Sequence, residues 1–460
     1  MIIKNIFILF IIEYFLFNVF ENKVIFVFEH FRHGARSPLD ISENDLDLIR
    51  EQWNGSQELT NVGLRQEYLL GHFIRNKYPN LINYEKYNPK EIEVLSTMTN
   101  RTIMSARAQL NGIFNNSIKN KIEEKQKNLC SPKYLLNEVK KLNDNIISIY
   151  PDNFPEEVPV HIIDVKEKLF QLEKNDICPK YKNMRNYNKQ REEIKDFILM
   201  FNDSFGEQLL KIYNIKDKNY YMDFENVNDI CIETMIDKFD DREFNFFNNQ
   251  IDLEALYNVS LRFFDLKTTF VYSNNKNGSL AYIGSSILIR KILSYMENII
   301  NNIDSDKNQP PKLVLLSSHD TAIANMEGLL DNLFEIQIIP PSYSSNYIFE
   351  LVKNEDNDEY IVNLIFNNIT LKTIEYNIFK NKIKRDSWTY EKIGKFCGFV
   401  KEESSNIINK YKEKRKWIII IIIFSLLDFL IFLFILYLLI AKKYIKLNIN
   451  IFKKIKKNRK

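Results

Sequence analysis

The sequence predicts an α/β fold: a sheet with helices on both faces, interrupted by a mostly helical insertion. Three observations carry the prediction. Short runs rich in β-branched and aromatic residues recur, as in "KVIFVFEHF", "EIEVLS" and "PKLVLLSS". Each is followed by a few polar residues and then by a helix-spaced segment, the alternation that a sheet covered on both faces requires. Between residues 118 and 264 the strand signals fade and the chain turns Lys-, Glu- and Asn-rich with helical periodicity.

The elements follow in chain order. "MIIKNIFILFIIEYFLFNVF" has one early lysine and then an apolar run, the pattern of a signal peptide over residues 1–20. Glu13 interrupts the run and no small-x-small cleavage site follows, so a retained signal anchor is the alternative. "KVIFVFEHF" reads as a buried strand ending at the polar string "RHGARSP". "LTNVGLRQEYLLGHFIRNKYP" has helical spacing, with Leu64, Leu69, Leu70, Phe73 and Ile74 on one side, Thr60 as N-cap and Pro79 as the stop. "EIEVLSTMTNRTIMSARAQLNGIF" is a strand to about Ser96 and a helix from about Asn100. After the insertion, "NGSLAYIGSSILIRKILSYMENIINNI" is a long amphipathic helix and "PKLVLLSSHDTAIANMEGLL" a second strand-then-helix unit. "SNYIFELVKNEDNDEYIVNLIFNN" is a hairpin of two alternating strands. The α/β domain is therefore assembled from 21–117 and 265–400, with 118–264 as the insert and 401–416 as a juxtamembrane stretch.

"WIIIIIIFSLLDFLIFLFILYLLI", 417–440, is 24 residues with one charge, Asp428. At ~1.5 Å per residue it spans a bilayer core. The tail, 441–460, holds nine Lys/Arg and no acid, as the positive-inside rule asks of a cytosolic tail. Removing that +9 from the chain's formal +3 leaves the body at −6, since residues 1–20 balance. An acidic body argues against nucleic-acid binding. The expected protein is single-pass type I, with its body in the lumen or outside the cell. "YIKL", Tyr444 to Leu447, fits a tyrosine-based sorting pattern, so lysosome and cell surface both stay open. In an oxidising compartment Cys130, Cys178, Cys231 and Cys397 allow two disulfides in three connectivities. Sequons at Asn54, Asn100, Asn115, Asn202, Asn258, Asn277 and Asn368 give weak support for secretion, because Asn is abundant.

The polar residues that matter fall at strand ends. Arg32-His33 follows one strand, Arg101 a second and His319-Asp320 a third. In open α/β sheets ligands bind beyond the carboxyl ends of the strands. Three strand ends would thus deliver arginine, histidine and aspartate to one crevice. Guanidinium forks match phosphate oxygens and stay charged at any pH. An imidazole among them can act as a nucleophile, and an aspartate can protonate a leaving alcohol. Burial and a bound phosphate would both raise that aspartate's pKa. Gly34 would let the backbone approach the anion, and Pro38 would fix the turn out of the site. His-Asp by itself is a weak signal, whereas R-H-G-x-R-x-P should arise by chance on the order of a few times per million such chains. His30, His72 and His161 read as structural, and Arg107 as a surface residue.

These residues resemble the histidine acid phosphatases. "RHGARSP" resembles the family's signature, "STMTNRTIMSARAQL" its second arginine segment and "LLSSHDTAIANMEGLL" its His-Asp segment. "VPVHIIDVKEKLFQLEKNDICPKY" and "PPSYSSNYIFEL" resemble its middle and the stretch after its Pro-Pro pair. The resemblance implies a phosphoglycerate-mutase-like, mostly parallel sheet with a smaller helical domain over the site. It implies a two-step phosphomonoesterase needing no metal or cofactor. His33 would be the nucleophile, Asp320 the leaving-group acid, and Arg32, Arg36, Arg101 and His319 the phosphate clamp. The family's cysteine after the Pro-Pro pair is missing, so Cys231 would be free or re-paired. A glycan on Asn100 would crowd Arg101, which implies that this sequon is unoccupied. Partners are a phosphate monoester and the membrane, with a homodimer left open. A phytase or inositol-polyphosphate phosphatase of the same fold is the nearer alternative, and a catalytically inactive membrane receptor the further one.

Overall fold

The computed structural model describes residues 22–37, 57–114, 158–163, 178–240, 251–273, 279–302, 310–354 and 359–399, with a few short pieces elsewhere. The expected signal peptide, Pro38, Cys130, the 417–440 span and the basic tail's architecture lie outside the described residues. Among the described residues no helix is long and apolar enough to cross a membrane. Two compact units are distinguished, 1–393 and 394–460, and the sheet and its helices belong to the first.

Strand β1 (Asn22–Arg32) is followed by helix α1 (Asn61–Lys77), β2 (Ile92–Ser96), α2 (Asn100–Ile113) and the two-residue β3 (His161–Ile162). Helices α3 (Pro179–Asn188), α4 (Glu192–Phe201), α5 (Glu207–Ile212), α6 (Phe224–Asp240) and α7 (Leu253–Leu266) form the helical region. Then come α8 (Ser279–Asn301), β4 (Leu313–Ser318), α9 (Asp320–Phe334), β5 (Asn346–Asn354), β6 (Tyr360–Phe366), β7 (Ile369–Glu375), α10 (Tyr376–Asp386) and α11 (Tyr390–Cys397). The expected boundaries hold closely at the site-bearing elements. Thr60 caps α1, accepting from the Gly63 N–H at 3.2 Å, and the helix stops just before Pro79.

The sheet runs β3-β2-β4-β1-β5-β6-β7. β3, β2, β4 and β1 pair in parallel, while β1–β5, β5–β6 and β6–β7 are antiparallel. The sheet is thus half parallel and half antiparallel in its ladders, more mixed than the resemblance implies. One of the three antiparallel pairings has a local cause. β6 and β7 are joined by Asn367-Asn368, both left-handed (φ 46° and 65°), which is the two-residue turn that suits a twisted hairpin.

β1 is buried on both faces, so its sequence is nearly continuous in apolar residues. Phe26 and Phe28 face one core, shared with Leu293 and Met296 of α8 and Met326 and Leu330 of α9. Val27 and Phe31 face the other, shared with Leu69, Leu70 and Phe73 of α1 and Leu110 and Ile113 of α2. The helical region has a third core of its own, built from Phe197, Phe201, Phe263 and Val271 among others. Parallel registry aligns the strand ends: Arg32 pairs with Ser318, and Ser96 with Ser317. Whatever follows β1, β2 and β4 therefore emerges at one edge.

Candidate active site

His33, Arg32, Arg36, Arg101, His319 and Asp320 all line one cavity of about 310 Å³ at that edge. His33 is buried, and its N–H bonds the Ser318 carbonyl at 3.0 Å. Its Nδ1 lies 2.8 Å from the Gly34 carbonyl. A carbonyl only accepts, so Nδ1 carries the proton and Nε2 keeps its lone pair. Burial pushes the His33 pKa well below 6.5, and the charges of Arg101, Arg32, His319 and Arg36 push it further. The imidazole therefore stays neutral in acid.

Arg32 is anchored from several sides. Its Nη1 donates to the Pro341 carbonyl at 2.8 Å, Nη2 lies 3.4 Å from Asp320 Oδ2, and its guanidinium stacks 4.2 Å over the Tyr343 ring. Arg36 Nη1 donates to the Ser37 carbonyl at 2.8 Å. Arg101 Nη2 is 3.4 Å from His319 Nδ1, and His319 Nε2 is 3.1 Å from Thr97 Oγ1. Since a guanidinium only donates, this contact leaves the proton on Nε2, which donates to Thr97. Burial lowers the Arg101 pKa to about 10, with Arg36 adding to the shift, so the group remains a cation. The rings of His33 and His319 lie 5.5 Å apart, edge to face.

Asp320 departs from expectation. Burial does raise its pKa, but Arg32, Lys267, His319 and Arg36 outweigh it and hold the carboxyl below its ordinary value. It is ionised until something neutralises the arginines.

Gly34 also differs. A Cβ on Gly34 would lie 2.4 Å from the Gly63 carbonyl oxygen, and one on Gly63 would lie 2.1 Å from the Ala35 carbonyl oxygen. The glycine makes room for the first turn of α1, whose backbone presses against the loop. Around this contact Ala35 N donates to Gln66 Oε1 at 2.9 Å and Gly34 N to Ser105 Oγ at 3.2 Å.

The segment 341–346 straps the loop from the other side. Ser344, left-handed at φ 55°, gives its N–H to the His33 carbonyl at 3.3 Å and its hydroxyl to Glu67 Oε1 at 2.7 Å. Glu67 and Glu29 are fully buried beneath the site. Gln109 and Asn346 each donate to Glu29 at 2.6 Å, yet burial outweighs these bonds and lifts its pKa to about 8. Burial lifts Glu67 as well, the Ser344 bond opposes it, and the Glu29 charge adds to it.

Sequence reasoning missed part of the wall. Arg185, Lys189, Asn228 and Lys267 come from the helical region and its exit, and they line the cavity too. The strand-end argument could not reach them. His30 is packed as expected, its Nε2 2.6 Å from Ser318 Oγ, and burial lowers its pKa to about 3. Arg107 and His161 are exposed and His72 is half-buried, all outside the cavity. Cys231 is a buried free thiol, while Cys178 and Cys397 are each disulfide-bonded.

The family model described as "Histidine phosphatase superfamily (branch 2)" matches residues 23–367. The chain belongs to that superfamily. This histidine phosphatase is 26% identical to the prostatic acid phosphatase of Bos taurus over 355 residues, covering 77% of this chain and 79% of that protein. It is 25% identical to the lysosomal acid phosphatase of Rattus norvegicus over 355 residues, covering 74% and 70%. Among solved structures it resembles the phytase from Citrobacter braakii (TM-score 0.54, 14% identity, 80% of this chain and 98% of that one). The apo phytase of Hafnia alvei is similar at TM-score 0.53 and 13% identity, covering 80% and 97%. At such identities the two phytases speak to the fold alone.

Proposed function

We propose that this histidine phosphatase hydrolyses phosphate monoesters through a phosphohistidine on His33. One observation carries the reading: the Nδ1–H bond to the Gly34 carbonyl leaves the lone pair of Nε2 for attack, beside three arginines and His319. The guanidinium groups of Arg32, Arg36 and Arg101, with His319, hold the phosphoryl oxygens and stabilise charge in flight. His33 Nε2 forms a bond to phosphorus as the P–O bond to the leaving group breaks. The Asp320 carboxyl gives its proton to the departing oxygen. In the second step a water gives its proton to Asp320 and attacks phosphorus, the P–N bond breaks, and inorganic phosphate leaves.

The Asp320 role needs the carboxyl protonated, and in the empty site the cations oppose that. A bound phosphoryl dianion cancels them and leaves burial as the dominant influence, which raises the pKa. The neutral His33 and a phosphate-dependent Asp320 together support activity in acid.

The test is His33→Ala in the full chain. Hydrolysis of p-nitrophenyl phosphate at acid pH should vanish while folding persists. Labelled phosphate should be trapped on the unmodified protein by alkaline quench and not on the variant. Normal turnover by the variant would sink the mechanism.

The same reading assigns 21–117 and 265–400 to the phosphatase domain, and 118–264 to a smaller helical domain over the site. It anchors the protein by the 417–440 span with the catalytic body outside the cytosol, supported by that run, the basic tail and the lysosomal and prostatic relatives.

A further inference from the structure

A guanidinium donates its N–H bonds in its own plane, so whatever fixes that plane fixes where the bonds point. Arg32 is 4% exposed and has two in-plane anchors: Nη1 on the Pro341 carbonyl at 2.8 Å and Nη2 toward Asp320 Oδ2 at 3.4 Å. Two such anchors define a line about which the plane can still tip. A flat contact on the guanidinium face stops that motion.

Tyr343 supplies the contact. Its ring centre lies 4.2 Å from Arg32 Cζ, against 5.2 Å for the Phe264 ring of α7. The same ring meets that of His33, centre to centre at 5.9 Å. Tyr343 is 3% exposed, packs on Ala35 and Val62, and is not among the residues lining the cavity. It therefore acts through Arg32 and His33 and not on substrate. The segment carrying it is tied to the same two residues by backbone. The Arg32 N–H donates to the Ser345 carbonyl at 2.9 Å, and the Ser344 N–H to the His33 carbonyl at 3.3 Å. Burial strengthens the attraction between ring and cation, because little water competes for the guanidinium face.

We infer that Tyr343 is a positioning residue for phosphoryl transfer: its ring face sets the plane of Arg32 and so the aim of the N–H groups that receive phosphoryl oxygens. This rests on the phosphomonoesterase reading above. Filling the core does not by itself call for a ring, since leucine would also cover Ala35 and Val62.

The experiment replaces Tyr343 in the full chain with leucine, phenylalanine and mono-, di- and pentafluorophenylalanine. Each fluorine withdraws charge from the ring face while the ring keeps nearly the same shape. The readouts are inhibition by vanadate, which adopts the five-coordinate geometry of the phosphoryl group in transfer, and KM and kcat for p-nitrophenyl phosphate. We expect Tyr343→Phe to stay within about threefold of the unmodified chain and Tyr343→Leu to weaken vanadate roughly tenfold or more. Along the phenylalanine series the inhibition constant should climb with fluorine number, by about tenfold at the pentafluoro ring. KM should climb with it. A flat series overturns the inference, because a ring that only fills space is indifferent to its own charge distribution. So does a Tyr343→Phe variant as weak as Tyr343→Leu, because the hydroxyl and not the ring face would then carry the effect. If Tyr343→Leu does not fold, the fluorinated series decides alone. An unmodified chain that neither hydrolyses p-nitrophenyl phosphate nor binds vanadate fails the phosphomonoesterase reading itself.

Discussion

Arg32 and Asp320 meet across two parallel strands, Nη2 to Oδ2 at 3.4 Å, with the arginine also stacked on Tyr343 at 4.2 Å. The pair couples phosphate binding to the protonation of the acid. With Arg32 and Lys267 unneutralised the Asp320 carboxyl sits below its ordinary value. With phosphate bound it rises, so binding takes up a proton at any pH between the two values. Phosphate or vanadate should bind more tightly as pH falls through the value in the complex. Calorimetry in buffers of different ionisation enthalpy should register the uptake, and Asp320→Asn should remove it. The same variant should lose about a hundredfold or more in kcat for an alkyl phosphate, and less for p-nitrophenyl phosphate, whose leaving group needs no acid.

Glu67 should act on catalysis without touching substrate. It holds Ser344, whose N–H holds the His33 carbonyl. Glu67→Ala should lower kcat by on the order of tenfold with little change in KM, because a nucleophile displaced by a fraction of an ångström attacks less often. Glu67→Gln should recover most of the loss, since burial already favours the neutral carboxyl. Equal effects of the two substitutions would reject the positioning role.

Gly34→Ala should destabilise the fold by roughly 3 kcal/mol, because its Cβ meets the backbone of Gly63 and no side chain can yield. Urea denaturation measures this. A variant as stable as the parent would show that the loop and α1 can part.

Glu29 makes stability fall as pH rises. Its carboxyl titrates at about 8 in the fold and near 4.5 when exposed, so between those values the folded state holds a proton that the unfolded state has released. Stability contributed by the protonated form is complete below about 4.5 and is lost progressively up to about 8, with a slope of up to ~1.4 kcal/mol per pH unit. Glu29→Gln should flatten the melting temperature across this window. A residual slope should remain, because burial raises Glu67 in the same direction.

Thr97→Val removes the acceptor that orients His319 Nε2. Activity should fall about tenfold with a rise in KM, since His319 belongs to the proposed clamp. An unchanged KM would mean that Arg101 alone sets the ring.

The fold and the convergence of the site residues on one cavity were legible because both rest on short-range signals. Strand runs that end in Arg32-His33, in Ser96 and in Ser318 place their polar successors at one sheet edge, since neighbouring parallel strands align their ends. Thr60 and Pro79 bounded α1 by local capping chemistry. The third strand of the antiparallel half was not read, although Asn367-Asn368 offered a turn signal.

Other features depend on partners far along the chain. Burial of Glu29 and Glu67 arises where α1, α2 and the 341–346 strap close over β1, and no window of sequence contains all four. Gly34 looked like an anion-facing glycine and proved to be a contact between two backbones. Lys267 reaches the cavity only because α6 and the turn after α7 meet there, with Lys267 Nζ donating to Asn228 Oδ1 at 2.9 Å.

By itself the sequence determined the α/β class and the strand-end placement of His33, Arg101 and Asp320, and it suggested the phosphate chemistry proposed for them. Those properties follow from hydrophobic period and side-chain type, which a single chain displays. Tertiary structure alone decided which nitrogen of His33 is free and which way the Asp320 pKa moves. Each of these is set by burial and by charges brought within a few ångströms from distant parts of the chain.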